Sequence, residues 1–155
     1  MVERMSIVRI AAATLHDIAA HAAAAYPEEC CGVLLGVDAG DERVISSAIA
    51  VQNERADERT RRYVIEADTI LLAEATAREL GVEIVGFYHS HPDHPAEPST
   101  FDRDHSWPWY TYIIVPSRRD GAGTARAWRL QDDRAAFDEQ QIVIDDTHAI
   151  TPEAS

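Results

Sequence analysis

Lysine is missing from the sequence, and positive charge is scarce throughout. All 14 basic residues among the 155 are arginines, against 27 acidic residues, so the formal net charge is −13. A chain this acidic lacks the basic surface that holds a phosphate backbone, which argues against a nucleic-acid-binding protein. Anionic lipid headgroups would repel the same charge. We therefore expect neither nucleic acid nor a membrane among the partners.

The sequence also lacks the pattern of a disulfide framework and any long apolar segment. Its two cysteines, Cys30 and Cys31, are neighbours and cannot link distant segments, which fits a reducing compartment. No apolar run approaches the roughly 18 residues of a membrane span. The residues after Met1 do not form the apolar region of a signal peptide. We predict a cytoplasmic protein.

Length and composition indicate one folded domain. The 155 residues fall within the usual range of about 100–200 residues per domain. Hydrophobic residues make up 46% of the chain, which argues against disorder. We place the domain at residues 1–145 and a polar C-terminal tail at residues 146–155.

Apolar periodicity and turn residues divide the chain into helices and strands. One helix is predicted from a Thr14-x-x-Asp17 capping box to Pro27, and another from Asp68 or Thr69 to Gly81. Buried strands are predicted at 31–37, 44–51, 82–88, 110–115 and 125–130, with short strands at 63–65 and 141–144 and a short helix at 99–107. This order predicts an α/β fold, a three-layer α-β-α sandwich with a mixed sheet.

Two histidines and an aspartate form the pattern with the clearest chemistry. His89 and His91 follow a predicted strand at a spacing of two, so their side chains point to the same side. Asp102 lies 11 positions beyond His91, after a proline-rich loop that can fold back. Two imidazoles, a carboxylate and water are a ligand set of catalytic zinc sites. Taken alone, however, a His-x-His pattern more often marks two hydrogen-bonded loop histidines.

The residues around this pattern favour the metal site. His89-Ser90-His91-Pro92, then six residues, then Ser99-x-x-Asp102 resembles the signature of the JAMM metallopeptidases, the catalytic branch of the MPN-domain family. Upstream, Pro27–Gly36 resembles that family's other motif, a glutamate two residues before Cys31-Gly32. The resemblance runs from about residue 8 to residue 144. It implies the MPN fold, which is cytidine-deaminase-like, and a small bacterial single-domain member.

The resemblance also implies a role for each residue of the motifs. The ligands of one Zn²⁺ per chain would be His89, His91 and Asp102. The general acid/base would be Glu29, and Ser99 would hydrogen-bond the oxyanion or the attacking water. Ser99-x-x-Asp102 is in addition a helix capping box, a role compatible with catalysis.

Several residues near the motifs leave alternatives open. Glu28 competes with Glu29 for the catalytic role, although the register against the following Cys-Gly favours Glu29. His94, His105 and Cys30 could assist the reaction, but exposed or structural roles are the simpler interpretation.

The function implied by the resemblance is hydrolysis. A zinc-dependent metallopeptidase or isopeptidase would cleave the amide bond after the C-terminal Gly of a ubiquitin-like or sulfur-carrier protein by means of a zinc-activated water. The alternative is a non-catalytic MPN scaffold, but such members have lost the metal ligands and this chain retains each of them. A deaminase is disfavoured because the chain has no Cys-x-x-Cys. An exposed edge strand near Val143 would permit a homodimer.

Overall fold

The structure is a computed structural model, and it describes residues 6–53 and 65–146. Three helices lie in these two segments: α1 (Ala12–Ala25), α2 (Ala67–Leu80) and α3 (Thr100–His105). The strands in the same segments are β1 (Ile7–Ile10), β2 (Cys31–Asp38), β3 (Glu42–Val51), β4 (Glu83–Pro92), β5 (Thr111–Arg118), β6 (Gly121–Ala122), β7 (Arg126–Leu130) and β8 (Phe137–Ile144).

Seven of these strands close into a barrel. The order around it is β4-β2-β3-β1-β8-β7-β5, and β5 pairs with β4 to complete the circle, while β6 extends from β5. The β4–β5 pair is parallel, as are β1–β3 and β1–β8. The closing seam begins where Gly86 pairs with Thr111. A Cβ at Gly86 would lie 2.0 Å from the Thr111 carbonyl oxygen, so only glycine lets the two strands approach this closely.

The closed sheet overturns the predicted three-layer α-β-α sandwich. A sandwich needs an open sheet with one layer of helices on each face, whereas the β4–β5 pairing joins the two ends of this sheet. The α/β class and the mixed sheet are confirmed. The sequence pattern showed most of the segments that are strands, but it contained no signal for the parallel partner of β4.

Two apolar clusters stabilise the barrel from inside and outside. The inner cluster collects residues of all seven strands together with Ile18 and Ala22 of α1. The outer cluster packs Ala73 and Ala77 of α2 against β2 and β4. Because side chains alternate along a strand, Leu34 of β2 belongs to the inner cluster and its neighbours to the outer one. Full burial of a large aliphatic side chain such as Leu34 contributes about 1.5–3 kcal/mol.

The predicted ends of the two long helices are confirmed only in part. Gly81 ends α2 in the left-handed conformation, with φ 71°, as predicted. The predicted starts are wrong. α1 begins at Ala12 after Ala11, and α2 begins at Ala67 after Glu66, and neither preceding residue makes a capping bond with its side chain.

The last strand is not at an edge, contrary to prediction. β8 lies between β7 and β1, and Val143 pairs with Arg9. The homodimer stays a prediction, without the free edge on which it was based. β1, which has four residues, was not predicted.

Three further predictions concern a short strand, the C-terminal tail and membrane spans. Two of the three residues of the predicted strand at 63–65, and residues 147–155 of the predicted tail, lie outside the described residues. Within the described parts of the chain, no helix has the length and apolarity that a membrane span requires.

Candidate metal centre

The end of β4 brings the two histidines together. The strand continues to Pro92, beyond the predicted end at residue 88, so the whole His89-Ser90-His91 sequence is extended backbone. The Nε2 atoms of His89 and His91 lie 3.1 Å apart on one face of the strand. Both residues are buried, with 1% and 7% exposed. The extended backbone thus places both imidazoles on the same side of the strand, as their spacing of two residues predicted.

α3 brings the carboxylate to the same point. Asp102 lies in the first turn of the helix that follows the proline-rich loop. Its Oδ1 is 3.2 Å from Nε2 of His89, and its Oδ2 is 3.1 Å from Nε2 of His91. One ligand atom of each of the three residues falls within 4.8 Å of the others, and all three residues are buried. The structure therefore unites the predicted metal ligands.

The other ring nitrogen of His91 fixes which atom faces the site. Nδ1 of His91 lies 2.8 Å from the carbonyl oxygen of Pro95. A carbonyl only accepts hydrogen bonds, so Nδ1 carries the hydrogen and Nε2 of the neutral ring keeps its lone pair. That lone pair faces Asp102 and His89, which is the orientation a metal ligand needs.

Charge and burial act together on the pKa values of this cluster. Burial raises the pKa of Asp102, but the charge of His89, the hydrogen bonds of His89 and His91 and the backbone N–H of Ser99 outweigh it and hold the pKa below its usual value. Burial lowers the pKa of His91, yet the hydrogen bond to Asp102 and its charge raise it overall. A buried, ionised carboxylate beside two imidazoles fits a divalent cation such as zinc.

A capping box holds Asp102 in place. The Ser99 backbone N–H donates to Oδ2 of Asp102 at 2.8 Å, and the Asp102 backbone N–H donates to Oγ of Ser99 at 3.1 Å. The predicted capping box is therefore present, and its carboxylate is at the same time a member of the metal group.

Glu29 lies in the irregular segment between α1 and β2. It is 5% exposed, and its charge is among the causes that raise the pKa of His91, so its carboxylate acts on the cluster electrostatically. The side-chain amide of Asn53 donates to the Glu29 carbonyl oxygen at 3.2 Å. The competing residue, Glu28, is exposed. The structure thus brings Glu29, and not Glu28, into the buried region.

The remaining candidates have other surroundings. His94 is exposed beside His91, and the ring of His105 stacks on Phe101 with centroids 3.9 Å apart. Cys30 is buried, and burial raises the pKa of its thiol to about 11, so the thiol is protonated at neutral pH. None of these three residues belongs to the metal group among the described residues.

A groove leads from the surface to this centre. Its volume is about 780 Å³, and its walls are the proline-rich loop and the first turn of α3. His91 and Ser99 both line it. A polypeptide segment in this groove would therefore reach a metal ligand and a hydroxyl group together.

Two functional contacts escaped the sequence analysis. One is the hydrogen bond from His91 to the Pro95 carbonyl oxygen, and the other is the contact of Ser90 on β4 with Cys30, the residue just before β2. Pro95 contributes a backbone oxygen, which every residue has, so its type gave no signal. The position of Ser90 between two ligands was the only available indication of its role.

The family comparison agrees with this geometry. The model for Prok-JAB, the prokaryotic homologs of the JAB domain, matches residues 11–131. The chain belongs to this family. Membership confirms the resemblance to small bacterial JAMM proteins. Together with the relatives that follow, it also confirms the predicted enzyme class, a JAMM-type hydrolase.

Individual relatives of this Prok-JAB chain fall into two groups by coverage. A desampylase of Haloferax volcanii is 40% identical over 103 residues, which are 66% of this chain and 70% of that protein. Tail tip assembly protein K of Escherichia phage N15 is 32% identical over 90 residues, 58% of this chain and 32% of the phage protein. The chain therefore spans about a third of the length of the phage relative.

Solved structures share the fold over nearly the whole chain. A protein from Desulfitobacterium hafniense has a TM-score of 0.77 and 25% identity, covering 93% of this chain and 99% of its own. A protein from Salinibacter ruber has a TM-score of 0.70 and 40% identity, covering 94% and 96%. Two proteins of similar size thus share the overall fold of this chain.

Proposed function

We propose that this Prok-JAB protein is a zinc-dependent isopeptidase that removes a ubiquitin-like modifier. It would hydrolyse the amide bond after the C-terminal Gly of the modifier, with sulfur-carrier proteins as the first class to test. The observation that carries the proposal is the convergence of His89, His91 and Asp102 beside a groove that His91 lines. Likeness to a protein named desampylase supports the choice of a ubiquitin-like modifier.

The proposed metal ligands are these same three residues. Two imidazole nitrogens and an ionised carboxylate fit zinc, and three protein ligands leave a position for water or substrate. Zinc held there would polarise the substrate carbonyl and lower the pKa of bound water. The chain supplies the rest: it orients the ligands, buries them and positions a proton acceptor.

Glu29 is the proposed general acid/base. Its carboxylate would accept a proton from the attacking water and later donate that proton to the leaving amine. Two features support the role: Glu29 is buried, and its charge acts on His91. A proton acceptor here must remain outside the ligand set, and Glu29 is no member of the metal group.

Ser99 is the proposed hydrogen-bond donor to the oxyanion. Its Oγ accepts the backbone N–H of Asp102, and a hydroxyl that accepts one bond still has its hydrogen to donate. The residue lines the groove next to His91. A donor fixed in this way stabilises negative charge that develops only in the transition state.

The location and the boundaries also remain proposals. We propose that the enzyme works in the cytoplasm, in keeping with two cysteines that form no disulfide among the described residues. The domain boundary is proposed at residue 145. β8 ends at Ile144, and the Asp145 N–H still donates to the Ile10 carbonyl oxygen.

A cleavage assay on defined conjugates tests the proposed function. The substrates are a sulfur-carrier protein joined through its C-terminal Gly to the lysine side chain of a peptide, and the same protein extended linearly beyond that Gly. We expect cleavage after Gly, its loss with a chelator and its recovery with Zn²⁺. Glu29→Gln should keep stoichiometric zinc but lower kcat about 10²–10⁴-fold, whereas Glu28→Gln should leave kcat unchanged.

Two results would contradict the proposal. If purified protein reconstituted with Zn²⁺ holds no stoichiometric metal, the non-catalytic scaffold becomes the better interpretation. If Glu29→Gln turns over substrate like the unmodified protein, the general acid/base is another residue.

A further inference from the structure

The segment that bears Glu29 is fixed by contacts outside regular structure. Glu29 follows α1, which ends at Ala25, and precedes β2, which begins at Cys31. Glu29 itself therefore lies outside the regular hydrogen bonding of α1 and β2. Contacts of its neighbouring residues with other parts of the chain help to fix its position.

Ser90 supplies the nearest of these contacts. The buried Cys30 N–H donates to Oγ of Ser90 at 2.8 Å, and the Ser90 N–H donates to the Cys30 carbonyl oxygen at 3.1 Å. Both backbone polar groups of the residue after Glu29 are thus bound by one residue. Ser90 itself is fully buried.

Ser90 also joins this segment directly to the metal ligands. It lies between His89 and His91 on β4, and Cys31 pairs with His89 in the adjacent rung of the β2–β4 ladder. One residue further along, Cys30 lies opposite Ser90. There the Cys30 N–H donates to the Ser90 hydroxyl and not to a backbone carbonyl oxygen. The strand that bears two ligands therefore holds the Glu29 segment through a side chain.

Two further contacts support the segment at other points. The Tyr26 hydroxyl donates to the carboxylate of Asp93 at 2.9 Å, just past the end of β4, and the Asn53 side chain donates to the Glu29 carbonyl oxygen. The Tyr26 contact is exposed, whereas the Ser90 contact is buried. A buried N–H that loses its acceptor forces a rearrangement, because water cannot replace the bond.

From this geometry we infer that Ser90 is a positioning residue that sets Glu29 against the metal centre. It acts through the Cys30 backbone and touches neither substrate nor metal. The inference rests on the proposed role of Glu29. Removal of the hydroxyl would leave the Cys30 N–H without its acceptor, and the backbone beside Glu29 would shift to recover a bond.

Three single variants test the inference. Ser90→Ala removes the acceptor, and Ser90→Thr retains a hydroxyl oxygen at the same position. The matched control is Ser117→Ala on the neighbouring strand β5. Ser117 is also fully buried, but its hydroxyl has no hydrogen-bond partner among the described residues.

The first measurement needs neither metal nor substrate. In the metal-free protein, amide hydrogen exchange at Cys30 should be faster in Ser90→Ala than in the unmodified protein. Ser90→Thr should restore the protection, and Ser117→Ala should leave it unchanged. Unchanged exchange at Cys30 in Ser90→Ala would overturn the inference, whatever the protein is found to hydrolyse.

The second measurement follows turnover of the zinc-loaded variants. Ser90→Ala should lower kcat roughly 10–100-fold, with zinc content and KM near those of the unmodified protein, since misplacement of a catalytic group by about 1 Å costs up to about 10²-fold. Ser90→Thr should recover kcat. Equal losses in Ser90→Ala and Ser117→Ala, or no recovery in Ser90→Thr, would reduce Ser90 to a packing residue.

Discussion

α1 and α3 are stabilised in opposite ways. α1 has 14 residues, and its buried side chains, Ile18 and Ala22, pack in the barrel core. Its first turn is capped from a distance, because the Ala12 N–H donates to Oδ1 of Asp146, which lies 134 positions away. α3 has six residues and buries Asp102 alone. Helices this short are marginal on their own, so α3 depends on the reciprocal bonds of its capping box.

The difference assigns the two helices to different tasks. α1 packs Ile18 and Ala22 into the inner apolar cluster. In α3 the capping atoms are also the candidate ligand atoms, since Oδ2 of Asp102 faces both Ser99 and His91. Damage to α1 should therefore reduce the stability of the whole fold, whereas damage to α3 should reduce metal binding and turnover.

The largest effect should come from Asp102→Ala. This variant loses a ligand and one partner of the capping box, so we expect loss of stoichiometric zinc and of detectable turnover. Asp102→Asn keeps an amide oxygen for the Ser99 N–H and should retain the local structure of α3 while still losing zinc. Metal analysis and amide exchange in α3 separate the two effects. Stoichiometric zinc in Asp102→Ala would show that Asp102 belongs to the capping box but is not a metal ligand.

Next in size is the effect of Ser99→Ala on turnover. The variant removes the proposed oxyanion donor, which is worth about 10²–10³-fold in kcat. It also removes the acceptor for the Asp102 N–H, at about 1 kcal/mol of unfolding free energy. Zinc should stay bound, because the backbone N–H of residue 99 still holds Asp102. Steady-state kinetics measure the effect, with Ser99→Thr as the control. Full activity in Ser99→Ala would show that Ser99 only caps α3 and does not act in catalysis.

A substitution in α1 should affect stability and leave the site intact. Ile18→Ala opens a cavity in the barrel core and should lower the free energy of unfolding by about 2–4 kcal/mol. Zinc content and kcat per folded molecule should not change. Urea denaturation measures the loss, and His16→Ala, an exposed change on the same helix, should stay within about 0.5 kcal/mol. Loss of zinc from folded Ile18→Ala would contradict the division of tasks.

The smallest effect concerns the start of α1. Asp146→Ala removes the distant acceptor for the Ala12 N–H and should cost about 0.5–1 kcal/mol, the lower part of the range for helix caps. Thr14→Ala should cost less than about 0.5 kcal/mol, because Thr14 lies inside the helix and does not cap it. Thermal unfolding of both variants decides between the two residues. A larger loss in Thr14→Ala would restore Thr14 as the cap.

Local features of the fold were predictable from sequence. Gly81 ends α2 because a left-handed residue there costs glycine little, and the β2–β3 hairpin follows from two apolar runs around a short turn. The start of α1 was not predictable, because its acceptor lies at the other end of the chain. Barrel closure was equally hidden, since the choice of β5 as the parallel partner of β4 depends on the packing of the whole sheet.

The candidate site was predictable to a larger degree than the fold. The spacing of His89 and His91 and the Ser99-x-x-Asp102 box specify side chains directly, so residue type contains the signal. The contacts that orient those side chains use backbone atoms, such as the Pro95 carbonyl and the Cys30 N–H. Such atoms are the same in every residue, and only the folded structure shows which of them meet.

The position of both histidines on the closing strand has a consequence for folding errors. β4 pairs with β2 on one side and with β5 on the other, and its register sets the face to which each side chain points. A slip of one residue turns every side chain of a strand to the opposite face. Ser90 would then occupy the site, and both imidazoles would leave it. A barrel with β4 in the wrong register is therefore inactive, and hydrolytic activity itself reports that β4 has paired in the correct register.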